Sequence, residues 1–353
     1  MDITTWFFTG LRTFFDLFPV EMALTLGAVL FGLSWIRPRR IVSLPESGRR
    51  ADALARIGIA GPLSVVAVAS ATSWLATLDP IGRHGGWWQR AAPLLAAAAV
   101  VVVAWLVLQR ESLPAPGERT ISPRRRWWAF APRTPLWLLA GAAALLLVTV
   151  AWQMLIGVPL PDGGNRYGVG PADSGLPEFM VMQNDMGYVW GAGWPNHLAT
   201  LVALLAAGAA LAALLGSDAN RPLVARASAP EVREERTATA RILTLLALGG
   251  LLLTLGAVWA HVGFIGQIIV GVFEDNGGEP GAQRFFVGTG YQSVAPLLHL
   301  GGYVVQGIGA ALLLRLAVDT WRAAAARRPG AGSADPHPAP GTAAARPGAE
   351  AVR

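Results

Sequence analysis

The sequence predicts an all-α integral membrane protein of seven transmembrane helices, with the N-terminus outside, the C-terminus in the cytoplasm and an interfacial helix at the N-terminal end. Three observations predict it. Hydrophobic residues make up 53% of the 353 and charged residues 14%, where a soluble chain carries about 25% charged. The apolar residues fall in seven long runs, each close to the roughly 20 helical residues that cross a bilayer core. The arginines then alternate from one connection to the next.

Residues 1–17, MDITTWFFTGLRTFFDL, are rich in aromatics and carry Arg12 and Asp16. They read as an amphipathic helix lying in the interface. No basic start and small-residue cleavage site mark them as a signal peptide. The spans are expected near 18–36, 57–78, 91–109, 135–156, 198–215, 242–262 and 293–318, so that the bundle occupies 18–322. The tail, 323–353, is rich in Pro, Ala and Gly without hydrophobic periodicity, and is expected to be disordered and cytoplasmic.

Orientation follows from charge. RPRRIVSLPESGRRADALAR separates spans 1 and 2, RESLPAPGERTISPRRRWWAFAPR spans 3 and 4, and NRPLVARASAPEVREERTATAR spans 5 and 6. With the tail and Arg315, this side holds 23 of the 28 arginines. The positive-inside rule assigns it to the cytoplasm, and an odd number of spans then puts the N-terminus outside. The pI near 10.8 is therefore a topology signal. Short, separate basic loops do not make the contiguous surface that nucleic acid needs. The exclusive use of Arg over Lys, with the Ala and Gly excess, points to a GC-rich bacterial genome and hence a bacterial plasma membrane. It also excludes a retinal Schiff base. The lack of cysteine excludes disulfides, thiolate metal sites and thiol nucleophiles.

Charges inside membrane helices mark ion coupling, because each is costly in lipid. Spans 2 to 6 have none in their interiors, which argues against a proton- or sodium-driven transporter. The polar residues within the helices are the informative ones. Gly250, Thr254, Ala257 and His261 form one lane of span 6. His299, Gly302, Gln306 and Gly309 form one lane of span 7. Helix length measured outward from Arg241 and from Val318 puts the two imidazoles at comparable depth near the outer leaflet. Close helix packing is the plainer account of such lanes. The alternative is a slot for haem b, with the imidazoles as axial ligands.

The same side carries His84, His197 and the segment EFMVMQNDMGYVWGAGWPNH, residues 178–197. Met180, Met182 and Met186 with His197 have ligand types that copper accepts. The plainer account is an apolar lid in which Met fills gaps and Trp190 and Trp194 sit at headgroup level. Asp185 with His197 would serve as orienter and base in a membrane-embedded transferase or hydrolase, although no spacing there selects a reaction. ADSGLPEF lacks the G-x-S-x-G elbow, and no strand precedes VGTGYQS to make a phosphate cradle. Span 6 is expected to break at Gly263 or Gly266, folding Gln267 and Phe273 over His261, with residues 178–197 capping a shallow cavity.

The leading reading is a non-enzymatic plasma-membrane protein that binds a small or lipidic ligand, or a partner subunit, at its outer face. Transport assistance and complex assembly are its contexts. The ligand-binding candidates are His261, His299, His197, Asp185, Trp194 and Gln306. The alternatives are a redox protein with haem b or copper, and the Asp–His enzyme.

Overall fold

The computed structural model of the chain describes residues 22–36, 40–45, 48–78, 88–110, 115–120, 124–158, 166–167, 179–181, 188–190, 194–224, 228–273 and 284–327. Seven helices dominate it: α1 (Met22–Leu33), α2 (Arg49–Leu78), α3 (Ala92–Gln109), α4 (Arg133–Ile156), α5 (Trp194–Ala219), α6 (Ala229–Gly266) and α7 (Ala295–Ala326). Helices α2 to α7 are each long and apolar enough to cross a membrane, and α1 is apolar but shorter. At 1.5 Å per residue the 12 residues of α1 cover about 18 Å. Large apolar side chains stay exposed on the bundle surface, among them Trp137, Val148 and Leu155 on α4 and Leu297 and Leu300 on α7. The chain is a multi-pass membrane protein, and these faces meet lipid.

The helices start where local chemistry allows. Pro93 occupies the first turn of α3, where its missing N–H costs nothing. Ser228 and Glu231 form a reciprocal capping box that opens α6. Gly48, at φ 108°, turns the chain into α2 in a conformation side chains resist. Several boundaries differ from the expected spans, α2 beginning at Arg49 and α5 at Trp194. Helix α6 runs for 38 residues from Ala229, and α7 continues to Ala326. The charged ends were assigned to loops by hydropathy, but the helical hydrogen bonds continue through them into the polar zone.

Helix α6 is the centre of the bundle. Its apolar window is 83% buried inside the protein, against 28% to 44% in the other five spans. It touches α2, α3, α4, α5 and α7, while α7 also packs on α1 and α2. A seven-residue repeat of small residues forms the α6–α7 seam. Gly249, Gly256 and Gly263 on α6 meet Ala295, Gly302 and Gly309 on α7, with backbone against backbone. A Cβ on Gly256 would lie 2.5 Å from the Gly302 carbonyl oxygen. A heptad repeat keeps one face toward a left-handed neighbour along its whole length.

At the arginine-rich end, polar side chains lock three helices together. Arg50 of α2 pairs with Asp218 of α5 and donates to the Thr239 hydroxyl of α6 at 2.9 Å. Arg236 of α6 donates to the Ala219 and Arg221 carbonyls, both at 2.7 Å, and so caps the carbonyl end of α5.

Short strands occupy the connections. Within residues 157–190, β2 (Gly157–Val158), β3 (Arg166–Tyr167), β4 (Phe179–Val181) and β5 (Tyr188–Trp190) form one sheet in the order β2-β4-β5-β3. Two-residue strands β1 (Arg119–Thr120) and β6 (Leu223–Val224) pair across the opposite end. The segment after α6 is β7 (Ile269–Phe273), paired antiparallel with β8 (Arg284–Gly288). The break at Gly266 is present, but the chain leaves it as a strand. Phe273 ends β7. Residues 1–17 and the tail from 328 onward lie outside the described residues.

Candidate functional site

The α6–α7 connection is built to end α6 cleanly. The last carbonyls of a helix have no partner within it. Here Tyr291 donates its hydroxyl to the Val262 carbonyl at 3.1 Å, Gln267 its amide to Gly263 at 3.0 Å, and Thr289 its hydroxyl to Gly266 at 2.9 Å. Burial pushes the Tyr291 hydroxyl up from its ordinary value. Its ring meets Trp152 of α4 edge-on, with centroids 5.0 Å apart. Gln267 is therefore a cap on its own helix and does not fold over His261.

Just inside this end lies a cavity of about 250 Å³. His261 and Phe264 come from α6, His299, Tyr303 and Gln306 from α7, and Thr72 and Ser73 from α2. Gln89 and Arg90 reach in from the turn before α3, and Leu24 comes from α1. The two lanes read from the sequence divide between two tasks. Gly250, Gly302 and Gly309 serve close packing, Gly250 against α3 and the other two against α6. Ala257, His261, His299 and Gln306 face the cavity.

The two imidazoles are held in opposite tautomers. Arg90 Nη2 lies 2.9 Å from His261 Nδ1. A guanidinium only donates, so Nδ1 accepts and the ring hydrogen sits on Nε2. His299 Nδ1 lies 2.9 Å from the Ala260 carbonyl oxygen. A carbonyl only accepts, so His299 carries its hydrogen on Nδ1 and leaves Nε2 with a lone pair. Tyr303 braces that ring edge-on at 4.9 Å. Arg90, His261 and His299 thus bring a guanidinium and two imidazoles to the cavity lining. The Ser73 hydroxyl is buried without a hydrogen-bond partner. Arg90 is the one formal charge among the described lining residues.

An axial haem ligand presents a bare ring nitrogen to the iron. His299 meets that requirement. His261 does not, because Arg90 occupies one nitrogen and hydrogen the other, so the pair does not fit a bis-imidazole haem site. Among the described residues, no three His, Cys, Asp or Glu side chains converge as a metal-binding group.

His197, in the first turn of α5, is 1% exposed. Trp194 begins α5. Met180 falls in β4, where Phe179, Met180 and Val181 pair with Trp190, Val189 and Tyr188. The described parts of the segment read as a lid are thus two paired antiparallel strands. Met182, Met186 and Asp185 lie outside the described residues. The chain brings His261, His299 and Gln306 to one cavity, and His197 is not among its lining residues. Arg90, Ser73 and Tyr303 are the lining groups that sequence reasoning missed. Arg90 carried one local signal, a cation placed directly before an apolar run on the arginine-poor side.

Comparison with protein-family models, with curated proteins and with solved structures finds no match to this chain.

Proposed function

We propose that this multi-pass protein resides in a bacterial plasma membrane and binds a small or lipidic ligand in the imidazole cavity, without transforming it. The convergence of His261, His299 and Gln306 with Arg90 in one amphipathic cavity carries the reading. Leu24, Leu253 and Phe264 supply apolar wall beside the polar groups. Ligand sites pair apolar lining with a few placed polar groups in this way, usually at about 300–1,000 Å³. A cavity slightly below that range suits a small molecule, or the polar head of a lipid whose chains lie in the bilayer. The positive charge of Arg90 favours a head rich in acceptor oxygens. Transport assistance or assembly with a partner subunit is the context.

Native mass spectrometry of the full chain, purified in mild detergent, tests the reading. Gln306→Leu keeps the side-chain volume and removes the amide. Loss of one hydrogen bond to a polar head is expected to lower retention of the co-purifying molecule about tenfold, with the fold intact. Equal retention by the variant and the parent sinks the assignment.

The cavity mouth is proposed to face outward, on the strength of the arginine distribution. The cysteine-free sequence makes this directly measurable. Ser293→Cys lies beside the cavity end and Gly117→Cys in the arginine-rich connection, and both positions are exposed. A membrane-impermeant maleimide is expected to label the first in intact cells and the second only after lysis. The reverse pattern would turn the cavity toward the cytoplasm.

A further inference from the structure

A second cavity, of about 520 Å³, lies at the arginine-rich end between α7 and the segment that follows α1. It is lined by Arg40, Arg315, Asp319, Trp321 and Arg322, together with small residues of α7. Among the described lining residues cations outnumber carboxylates. Asp319 Oδ2 accepts from Arg315 Nε at 3.2 Å and from the Ile41 backbone N–H at 2.9 Å. Arg315 is 6% exposed. It is fixed by Asp319, by the Ser34 hydroxyl at 3.3 Å, and by the Trp35 ring lying 3.6 Å from its guanidinium carbon. Asp319 compensates Arg315, and Arg40 and Arg322 remain as two further, exposed cations. Arg322 stacks on the same Trp35 ring at 4.6 Å, which holds it beside Arg315.

Depth narrows the ligand class. Arg322 lies 23 residues along α7 from His299, about 35 Å at the helical rise. The hydrocarbon core is about 30 Å thick, so this cavity stands at the headgroup level of the face opposite the imidazoles. Leu33 and Ile36 are exposed next to it, and Trp321 is exposed on its rim. An apolar wall beneath a cationic cavity, with an interfacial Trp beside it, matches a lipid whose chains run down α1 and whose head carries the negative charge. Basic pockets between helices at this level take phosphate heads, and guanidinium groups bind phosphate oxygens in pairs.

We propose that this cavity binds a phosphate-bearing anion, with the headgroup of an anionic phospholipid as its source. The site is independent of the imidazole cavity, and either orientation of the chain serves it, since both membrane faces carry phosphate heads. The test uses the full chain in a neutral detergent, titrated separately with short-chain phosphatidylglycerol, short-chain phosphatidylcholine and inorganic phosphate, with thermal unfolding as the readout. Phosphatidylglycerol is expected to raise the midpoint saturably, and phosphatidylcholine to do so at least about tenfold more weakly. The doubly substituted Arg40→Gln, Arg322→Gln chain is expected to need about tenfold more phosphatidylglycerol, because two charge-assisted contacts are lost. Both residues are exposed, so the variant should unfold near the parent midpoint without lipid. If inorganic phosphate gives the same arginine-dependent shift while phosphatidylglycerol gives none, the anion site stands with a soluble phosphate as its source. A phosphatidylglycerol response that is equal in parent and variant, or no response to either phosphate, overturns the proposal.

Discussion

Arg50→Ala is expected to destabilise the bundle by about 3–5 kcal/mol, the cost of stranding a buried carboxylate. Asp218 is 7% exposed and Arg50 is its direct partner. Arg50 also reaches the Thr239 hydroxyl and, at 3.4 Å, the Glu235 carboxylate. One guanidinium therefore joins α2, α5 and α6 where their polar ends enter the protein. Alanine removes the cation and leaves Asp218 without it in a site largely closed to water. The effect is read as a fall in the SDS fraction needed to unfold the chain in mixed micelles. A second substitution separates pairing from packing. Asp218→Leu placed together with Arg50→Met removes both charges and retains volume, and such exchanges are often neutral or stabilising. The double variant should recover most of the loss. An Arg50→Ala chain that unfolds where the parent does would show that water already solvates the carboxylate.

The second large effect is expected at Gly302. A Cβ there would lie 2.6 Å from the Gly256 carbonyl oxygen and 2.8 Å from the Ala260 Cα. These are backbone atoms of the neighbouring helix, which no rotamer change can move aside. Gly302→Ala should therefore cost about 3 kcal/mol, the upper part of the overpacking range, as α6 and α7 are pushed apart. The neighbouring position supplies the control. A Cβ on Gly301 meets nothing within 4 Å. Gly301→Ala should be neutral or slightly stabilising, since alanine is the better helix former by about 1 kcal/mol. The two variants differ by one position on one helix, and the same unfolding assay reads both. Equal midpoints would mean that the seam is not closed. Gly302→Ala should also weaken ligand retention, because His299 and Gln306 ride on the displaced helix.

Hydropathy located the helices because a bilayer demands length and apolar continuity, and both are local properties of the sequence. The interior order was less legible. The lane Gly250, Thr254, Ala257, His261 was visible because it mixes small and polar residues. The seam Gly249, Gly256, Gly263 was hidden among leucines, and only contact with α7 distinguishes it. The hairpin β7–β8 had its own signals, IVGVF and RFFVG on either side of an Asn-Gly-Gly turn, but the apolar run leading out of α6 masked them. The strands FMV and YVW were likewise read as lid aromatics. Arg50 was absorbed into the count of cytoplasmic arginines, since a charge rule that explains every arginine cannot single out a buried one. The convergence of His261, His299 and Gln306 followed from helix depth and face. Arg90 did not, because its partner lies 171 positions away in sequence.

The caps on the last carbonyls of α6 bear on how the molecule moves. Tyr291, Thr289 and Gln267 bind the loop end of the α6–α7 pair to itself, and the glycine contacts clamp the rest, so the two helices behave as a single rigid post. Any widening of the imidazole chamber has to be made by its other walls, among which α1, carrying Leu24, is the shortest helix among the described residues and rests mainly on α7. Entry would then be sideways, from the lipid.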